Sequence, residues 1–100
     1  MEKRVATYDL RIIKLAFSSA KKLRMTASAL RDARAMGFSQ QNIVDAIQQL
    51  KRANFIKSMT THADHRTWQD VYNSEFMGYR LYIKFQIDEA GHFIISFKEK

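Results

Sequence analysis

The stretch LYIKFQIDEAGHFIISFK (residues 81–98) decides the fold of this chain. From Leu81 to Ile87, Leu81, Ile83, Phe85 and Ile87 alternate with Tyr82, Lys84 and Gln86. From His92 to Lys98, Phe93, Ile95 and Phe97 alternate with Ile94, Ser96 and Lys98. Successive side chains of a strand point to opposite faces, so a period of two predicts strands with one buried face and one free face. Asp88-Glu89-Ala90-Gly91 between them reads as a turn, and the pair as an antiparallel hairpin.

Upstream the period changes to that of a helix. Leu10, Ile13, Phe17 and Ala20 share one helical face over Tyr8 to about Ala20, widened by Ile12 and Ala16. Lys21 and Lys22 follow where cations suit a helix C-terminus. Leu23-Arg24-Met25 reads as a short strand or an extended connection. Thr26 is an N-cap for Ala27 to Met36, and Gly37 a left-handed stop. Ser39 caps the next helix, in which Ile43, Val44, Ile47 and Leu50 make one apolar stripe. Helices first and an antiparallel meander afterwards predict an α+β architecture, with the N-terminal helices packed on one face of a small antiparallel sheet. The chain has 100 residues and no proline, repeat or low-complexity tract, which predicts a single domain spanning 1–100.

The join between the two halves, NFIKSMTTHADHRTWQDVY (54–72), carries the chemistry. Asn54 to Met59 reads as a strand, Thr60–Arg66 as a polar connection, and Thr67 to Tyr72 as a strand with Trp68, Asp70 and Tyr72 opposite Gln69 and Val71. The stretch combines Lys57, His62, His65, Arg66, Trp68, Gln69 and Tyr72. Cations suit phosphates, aromatic faces suit unstacked bases, and imidazoles carry protons, so the set suits RNA. The sheet's free face adds Tyr82, Lys84, Gln86, Ser96 and Lys98.

Composition narrows the function classes. The net charge is +7, and all of it lies in residues 1–53, where eleven Lys and Arg face four acids; residues 54–100 hold six of each sign. A basic half beside a neutral half suits a polyanion or an acidic protein partner. Cysteine is absent, which excludes disulfides and thiolate zinc sites, and three histidines with scattered carboxylates make no metal site. No window nears the roughly 18 apolar residues of a membrane span. Met1-Glu2-Lys3-Arg4 reads as a cytosolic start rather than a signal peptide.

Several short blocks resemble one known family. KSMTT (57–61), DH (64–65), WQDVY (68–72), YIK (82–84), SFKEK (96–100) and the opening MEKR fall in order at nearly the spacing of the MqsR toxin family. The resemblance implies a RelE-like microbial-RNase-type toxin fold. It implies an mRNA endoribonuclease of a type II toxin–antitoxin pair, associated with cleavage at GC-containing triplets. The implied partner is an MqsA-like antitoxin with a zinc-binding half and a helix-turn-helix half, through which alone DNA would be reached. By the same resemblance the catalytic set is Lys57, Gln69, Tyr82 and Lys98, with the Asp88–Gly91 turn absorbing a short insertion. No cofactor is implied. Met59 falls in the Lys57 block, and we read Met59, His65, Arg66, Tyr72 and Lys84 as substrate contacts. Ile56 and His62 stand where a family member has aromatics.

Chemistry assigns roles within that set. Metal-free cleavage through the ribose 2′-hydroxyl needs cations on the phosphate, which Lys57 and Lys98 supply. It needs a donor near the leaving oxygen, which Tyr82 supplies, and a neutral amide to orient ribose or base, which Gln69 supplies. None of the four is a strong general base. His65 beside Asp64 reads either as an acid–base dyad or as a turn-tying pair. His62 and His92 read as structural or simply exposed, and Trp68 as packing against the helices rather than on RNA. Arg66 and Arg80 read as backbone contacts, and Arg11, Lys14, Lys21, Lys22, Arg24, Arg31 and Arg34 as partner docking with steering of RNA. Two rival readings are a non-catalytic RNA-binding module and a protein-interaction domain for an acidic partner.

Overall fold

Local capping chemistry sets where each helix begins. In the computed structural model, which describes residues 1–100, the Asp9 carboxylate accepts from the Arg11 N–H and starts α1 (Leu10–Ala16). The helix is shorter than the apolar spacing predicts. Tyr8 precedes it, held by its N–H on Asp70 and its hydroxyl on the Trp68 carbonyl. Phe17 leaves it at φ −115° and stacks on Phe85 at 6.2 Å. Ser18 and Ser19 favour turns over helix interior, and Ala20–Lys22 forms a single 3₁₀ turn. Thr26 caps α2 (Ala27–Ala35) and Gly37 ends its run at φ +77°. Ser39 and Asn42 form a reciprocal capping box on α3 (Gln40–Gln48). Each such cap contributes about 1 kcal/mol.

The sheet has five strands: β1 (Glu2–Lys3), β2 (Phe55–Thr60), β3 (Trp68–Phe76), β4 (Tyr79–Ile87) and β5 (Phe93–Glu99). They lie in chain order and every neighbouring pair is antiparallel. The hairpin of residues 81–98 forms as its alternation predicts. Asp88 ties the turn by accepting from the Ala90 and His92 N–H groups. Leu23–Met25 is an extended connection: the Arg24 carbonyl accepts from the Ile95 N–H, the Thr26 N–H donates to the Ile95 carbonyl, and Met25 bridges that residue in parallel. The outer edge of β5 is thereby partly covered.

Two features depart from the sequence reading. A two-residue β1 pairs Glu2 with Met59 and Lys3 with Ser58. Residues 73–79, which lie between the strands expected at Thr67 to Tyr72 and Leu81 to Ile87, extend β3 to Phe76 and start β4 at Tyr79. Met77 and Gly78, both at positive φ, make the two-residue turn between them. Phe38 fixes this hairpin tip, with its ring edge-on to Phe76 at 5.9 Å and to Tyr79 at 5.4 Å. Tertiary packing gives a Met-Gly pair the turn that Asn-Gly would announce in sequence.

One apolar cluster joins the layers. Ile13, Phe17, Ala29, Ala33, Ile43, Ala46, Ile47 and Leu50 from the helical half meet Tyr72, Leu81, Ile83, Phe85, Ile95 and Phe97 from the sheet. Burying each of the larger side chains contributes roughly 1.5–3 kcal/mol. All helices therefore cover one sheet face, and the opposite face is left free.

Candidate active site on the free sheet face

Strand register decides what the free face displays. Directly paired residues share a face, which gives three cross-strand rows. The first is Met59–Gln69–Gln86–Ile94, its two glutamines joined by a side-chain hydrogen bond; the second is Lys57–Val71–Lys84–Ser96, and the third Asn73–Tyr82–Lys98. Lys57, Gln69, Tyr82 and Lys98 thus lie on one face, across four strands. Rows are two residues apart along a strand, so the patch spans about 13 Å.

Lys57 reaches this face through a backbone irregularity. Phe55 pairs with Tyr72, yet Lys57 pairs with Val71, so two residues of β2 oppose one step of β3. The extra residue is Ile56, whose carbonyl accepts from Arg4. In a regular strand Phe55 and Lys57 would share a face. The bulge lets the Phe55 ring pack on Tyr72 at 5.5 Å in the core while Lys57 turns outward.

Polar contacts then hold the individual groups. The Lys57 ammonium donates to the Glu2 carboxylate at 2.7 Å, and that hydrogen bond is the main cause holding Glu2 below its ordinary range. The Gln69 amide donates to Gln86 at 3.0 Å. Tyr82 and Lys98 face each other with no side-chain hydrogen bond to protein, and the Lys100 ammonium sits 4.8 Å above the Tyr82 ring. Val71, though on the free face, is only 3 % exposed. Lys57 and Lys84 flank it, and their alkyl stems can cover it. Lys84 and Met59 occupy the same face as the four central residues. Four ammonium groups (Lys57, Lys84, Lys98 and Lys100) and the Glu2 carboxylate give the patch a positive field, with a phenol and three amides among them.

Other sequence-derived positions fall elsewhere. Tyr72 is corrected: it is 2 % exposed, on the helix-facing side, edge-on to Phe85 at 5.8 Å. Alternation already sets it opposite Gln69, so it makes no contact on the free face. His65 and Arg66 lie exposed in the 61–67 connection beyond the Met59–Gln69 end. Asp64 accepts from the Arg66 N–H and guanidinium and from the Thr67 hydroxyl, with no bond to His65. The Arg66 N–H is the largest cause holding the Asp64 carboxyl below its usual range. Asp64 is therefore a turn-tying residue rather than half of a His65 dyad.

Trp68 lies on the helix-facing side, with the Lys3 ammonium 4.2 Å over its ring. His92 approaches Asp88 at 3.8 Å, and Arg80 pairs with Glu75 at 3.5 Å. No three His, Asp or Glu side chains converge on one point. The sequence reading placed Gln86 on this face but missed Glu2, Asn73 and Lys100 as neighbours of the central groups. Only the strand register brings in those three.

The basic first half is gathered on the helical side. Arg4, Arg11, Lys14, Lys51 and Arg52 line one groove there, and Lys21, Lys22 and Arg24 line a second beside His92.

Comparison with known proteins bears on this arrangement. Residues 5–99 match the sequence model of the MqsR toxin family, described as "Motility quorum-sensing regulator, toxin of MqsA". The chain is similar to the mRNA interferase toxin MqsR of Escherichia coli (strain K12), at 37 % identity over 100 residues and 100 % of both chains.

Proposed function

Since the chain belongs to the MqsR toxin family, we propose that it is a toxin mRNA endoribonuclease that cuts on the free sheet face, with Lys57, Gln69, Tyr82 and Lys98 as its working groups. The observation that carries the site assignment is their shared face, which depends on the bulge at Ile56.

The reaction we assign to the site runs through the ribose. The 2′-oxygen attacks the adjacent phosphorus, its proton passes to solvent, and the bond from phosphorus to the 5′-oxygen breaks. The products are a 2′,3′-cyclic phosphate and a 5′-hydroxyl. Lys57 and Lys98 carry the charge that develops on the phosphoryl oxygens. Tyr82, opposite Lys98, donates its proton to the departing 5′-oxygen. Gln69, anchored on Gln86, orients ribose or base. The carboxylate held on this face, Glu2, is engaged by Lys57, and no imidazole joins it there, so the rate rests on in-line placement and electrostatics. Met59 and Lys84 extend the substrate contact, with His65 and Arg66 at its end. This chemistry needs no metal ion.

As the toxin half of a toxin–antitoxin pair, the chain would be neutralised by an MqsA-like partner with zinc and helix-turn-helix parts. The grooves lined by Arg4, Arg11, Lys14, Lys51 and Arg52 and by Lys21, Lys22 and Arg24 suit an acidic segment of that partner. DNA is reached only through it. No helix is long and apolar enough to cross a membrane, and we place the protein in the cytoplasm with its mRNA substrate.

End-mapping of RNA incubated with the purified protein tests the reading. Fragments with 5′-hydroxyl ends, formed in EDTA and lost in Lys57→Ala and Tyr82→Phe, are expected. Intact RNA with salt-sensitive binding would make the protein an RNA-binding module. Unimpaired cleavage by both variants would remove the site assignment.

A further inference from the structure

A polar notch opens at the Tyr82–Lys98 end of the free face, and it has a topological cause. β2 starts at Phe55 opposite Tyr72, whereas β3 runs on to Phe76. The β3–β4 hairpin therefore overhangs its neighbour. The step leaves a notch of about 450 Å³ lined by Asn54, Asn73, Ser74, Glu75, Arg80 and Lys100, with no apolar residue among them.

Asn73 is the unusual member. It pairs directly with Tyr82, which pairs with Lys98, so it is next in line to the proposed catalytic groups. Its side chain makes no hydrogen bond, and its Oδ1 is the one buried side-chain polar atom left without a partner. An unpaired buried acceptor is destabilising, so turning this amide into the notch toward a ligand that satisfies it is favoured. Asn54 by contrast already accepts from the Lys51 N–H. A carboxamide offers one donor and one acceptor side by side, and the edge of an unstacked base offers the reverse pair. Arg80, 75 % exposed, and Lys100 can reach a neighbouring phosphate, while Glu75 offsets one of those two charges. A lining of net charge +1 with a free amide is built to read a base more than to trap phosphate.

We propose that this notch is a nucleotide subsite: Asn73 reads the base edge of a single-stranded ribonucleotide beside the scissile phosphate, with Lys100 and Arg80 on its backbone. This rests on the endoribonuclease reading and adds a specificity-determining residue to it.

Cleavage of an oligoribonucleotide pool randomised around the cut, sequenced at its ends, tests the assignment. In the parent one position next to the cut is expected to show a base preference. Asn73→Ala is expected to shrink it about ten-fold, leaving preferences elsewhere in place. Lys100→Ala and Arg80→Ala are expected to raise KM alike for all sequences and to lower the salt slope by about one each. An unchanged preference profile in a folded Asn73→Ala protein overturns the proposal. If that variant melts out, unchanged KM and salt slope in the Lys100 and Arg80 variants overturn it instead. If the parent leaves the pool intact, the endoribonuclease reading fails separately. The subsite is then judged by binding, and it falls if parent and Asn73→Ala rank the same oligonucleotides alike.

Discussion

Glu2 of the short first strand accepts a hydrogen bond from the Lys57 ammonium at 2.7 Å. The proposed phosphate-binding cation is thus posed and partly neutralised by a carboxylate brought in from the far end of the sequence. RNA must displace Glu2 or share Lys57 with it.

Glu2→Gln is therefore expected to tighten RNA binding by about two- to five-fold, the scale of an exposed ion pair. The hydrogen bond from Lys57 lowers the Glu2 pKa below 4.5. A depressed carboxylate keeps its pairing above the ordinary value and loses it as pH falls through the lowered one. Hence the difference between parent and variant should persist at neutral pH and close only on strong acidification. Titration of labelled RNA at several pH values measures this. Weaker binding by the variant would show that Glu2 positions Lys57 productively instead of competing for it.

Gln69 and Gln86 should behave as one unit, because the second fixes the amide of the first at 3.0 Å. Gln86→Ala is expected to reduce kcat/KM several-fold with Gln69 intact. Adding Gln86→Ala to Gln69→Ala should then cost little more. Contacting residues give such non-additive cycles, and fully additive losses would separate the two amides.

Asp70 is expected to matter to stability. It is fully buried and accepts from the backbone N–H groups of Thr7 at 3.1 Å and Tyr8 at 2.9 Å, strapping the N-terminal segment to β3. Asp70→Asn sets an amide N–H against one of those donors. A loss of about 2 kcal/mol and a melting temperature roughly 10 °C lower should follow in thermal unfolding. An unchanged melting point would mean that the strap contributes nothing.

Tyr72 predicts alkaline sensitivity. Burial, the largest cause, pushes its hydroxyl from 10.0 up to about 12. The folded state thus favours the neutral phenol. Its contribution is complete below the unfolded value and is lost as pH rises through the folded one. Denaturant titrations between about pH 9 and pH 12 should show the parent losing more stability than Tyr72→Phe. Parallel curves would mean that Tyr72 ionises as freely in the folded protein as in the unfolded chain.

The sequence alone determined the layers. Alternation over 81–98, the caps at Thr26 and Ser39 and the stripe through Ile43, Ile47 and Leu50 are local signals, and each element formed where its signal lies. Face membership within a strand was present in the alternation, which sets Tyr72 opposite Gln69 and so argues against the reading of Tyr72 as a substrate contact. The family blocks marked the four residues proposed as working groups. Tertiary structure alone decided how the strands are phased. The bulge at Ile56 turns Lys57 outward while Phe55 stays in the core, and β1 delivers Glu2 to it. The clasp of Phe38 on Phe76 and Tyr79 carries β3 and β4 past β2 and leaves Asn73 beside an open notch. Side-chain period is a property of one strand, whereas register is set by pairing between segments distant in sequence and by the packing each alignment permits. For that reason the residues of the proposed site could be read from the chain, and the neighbours that register brings to them, Glu2, Asn73 and Lys100, could not.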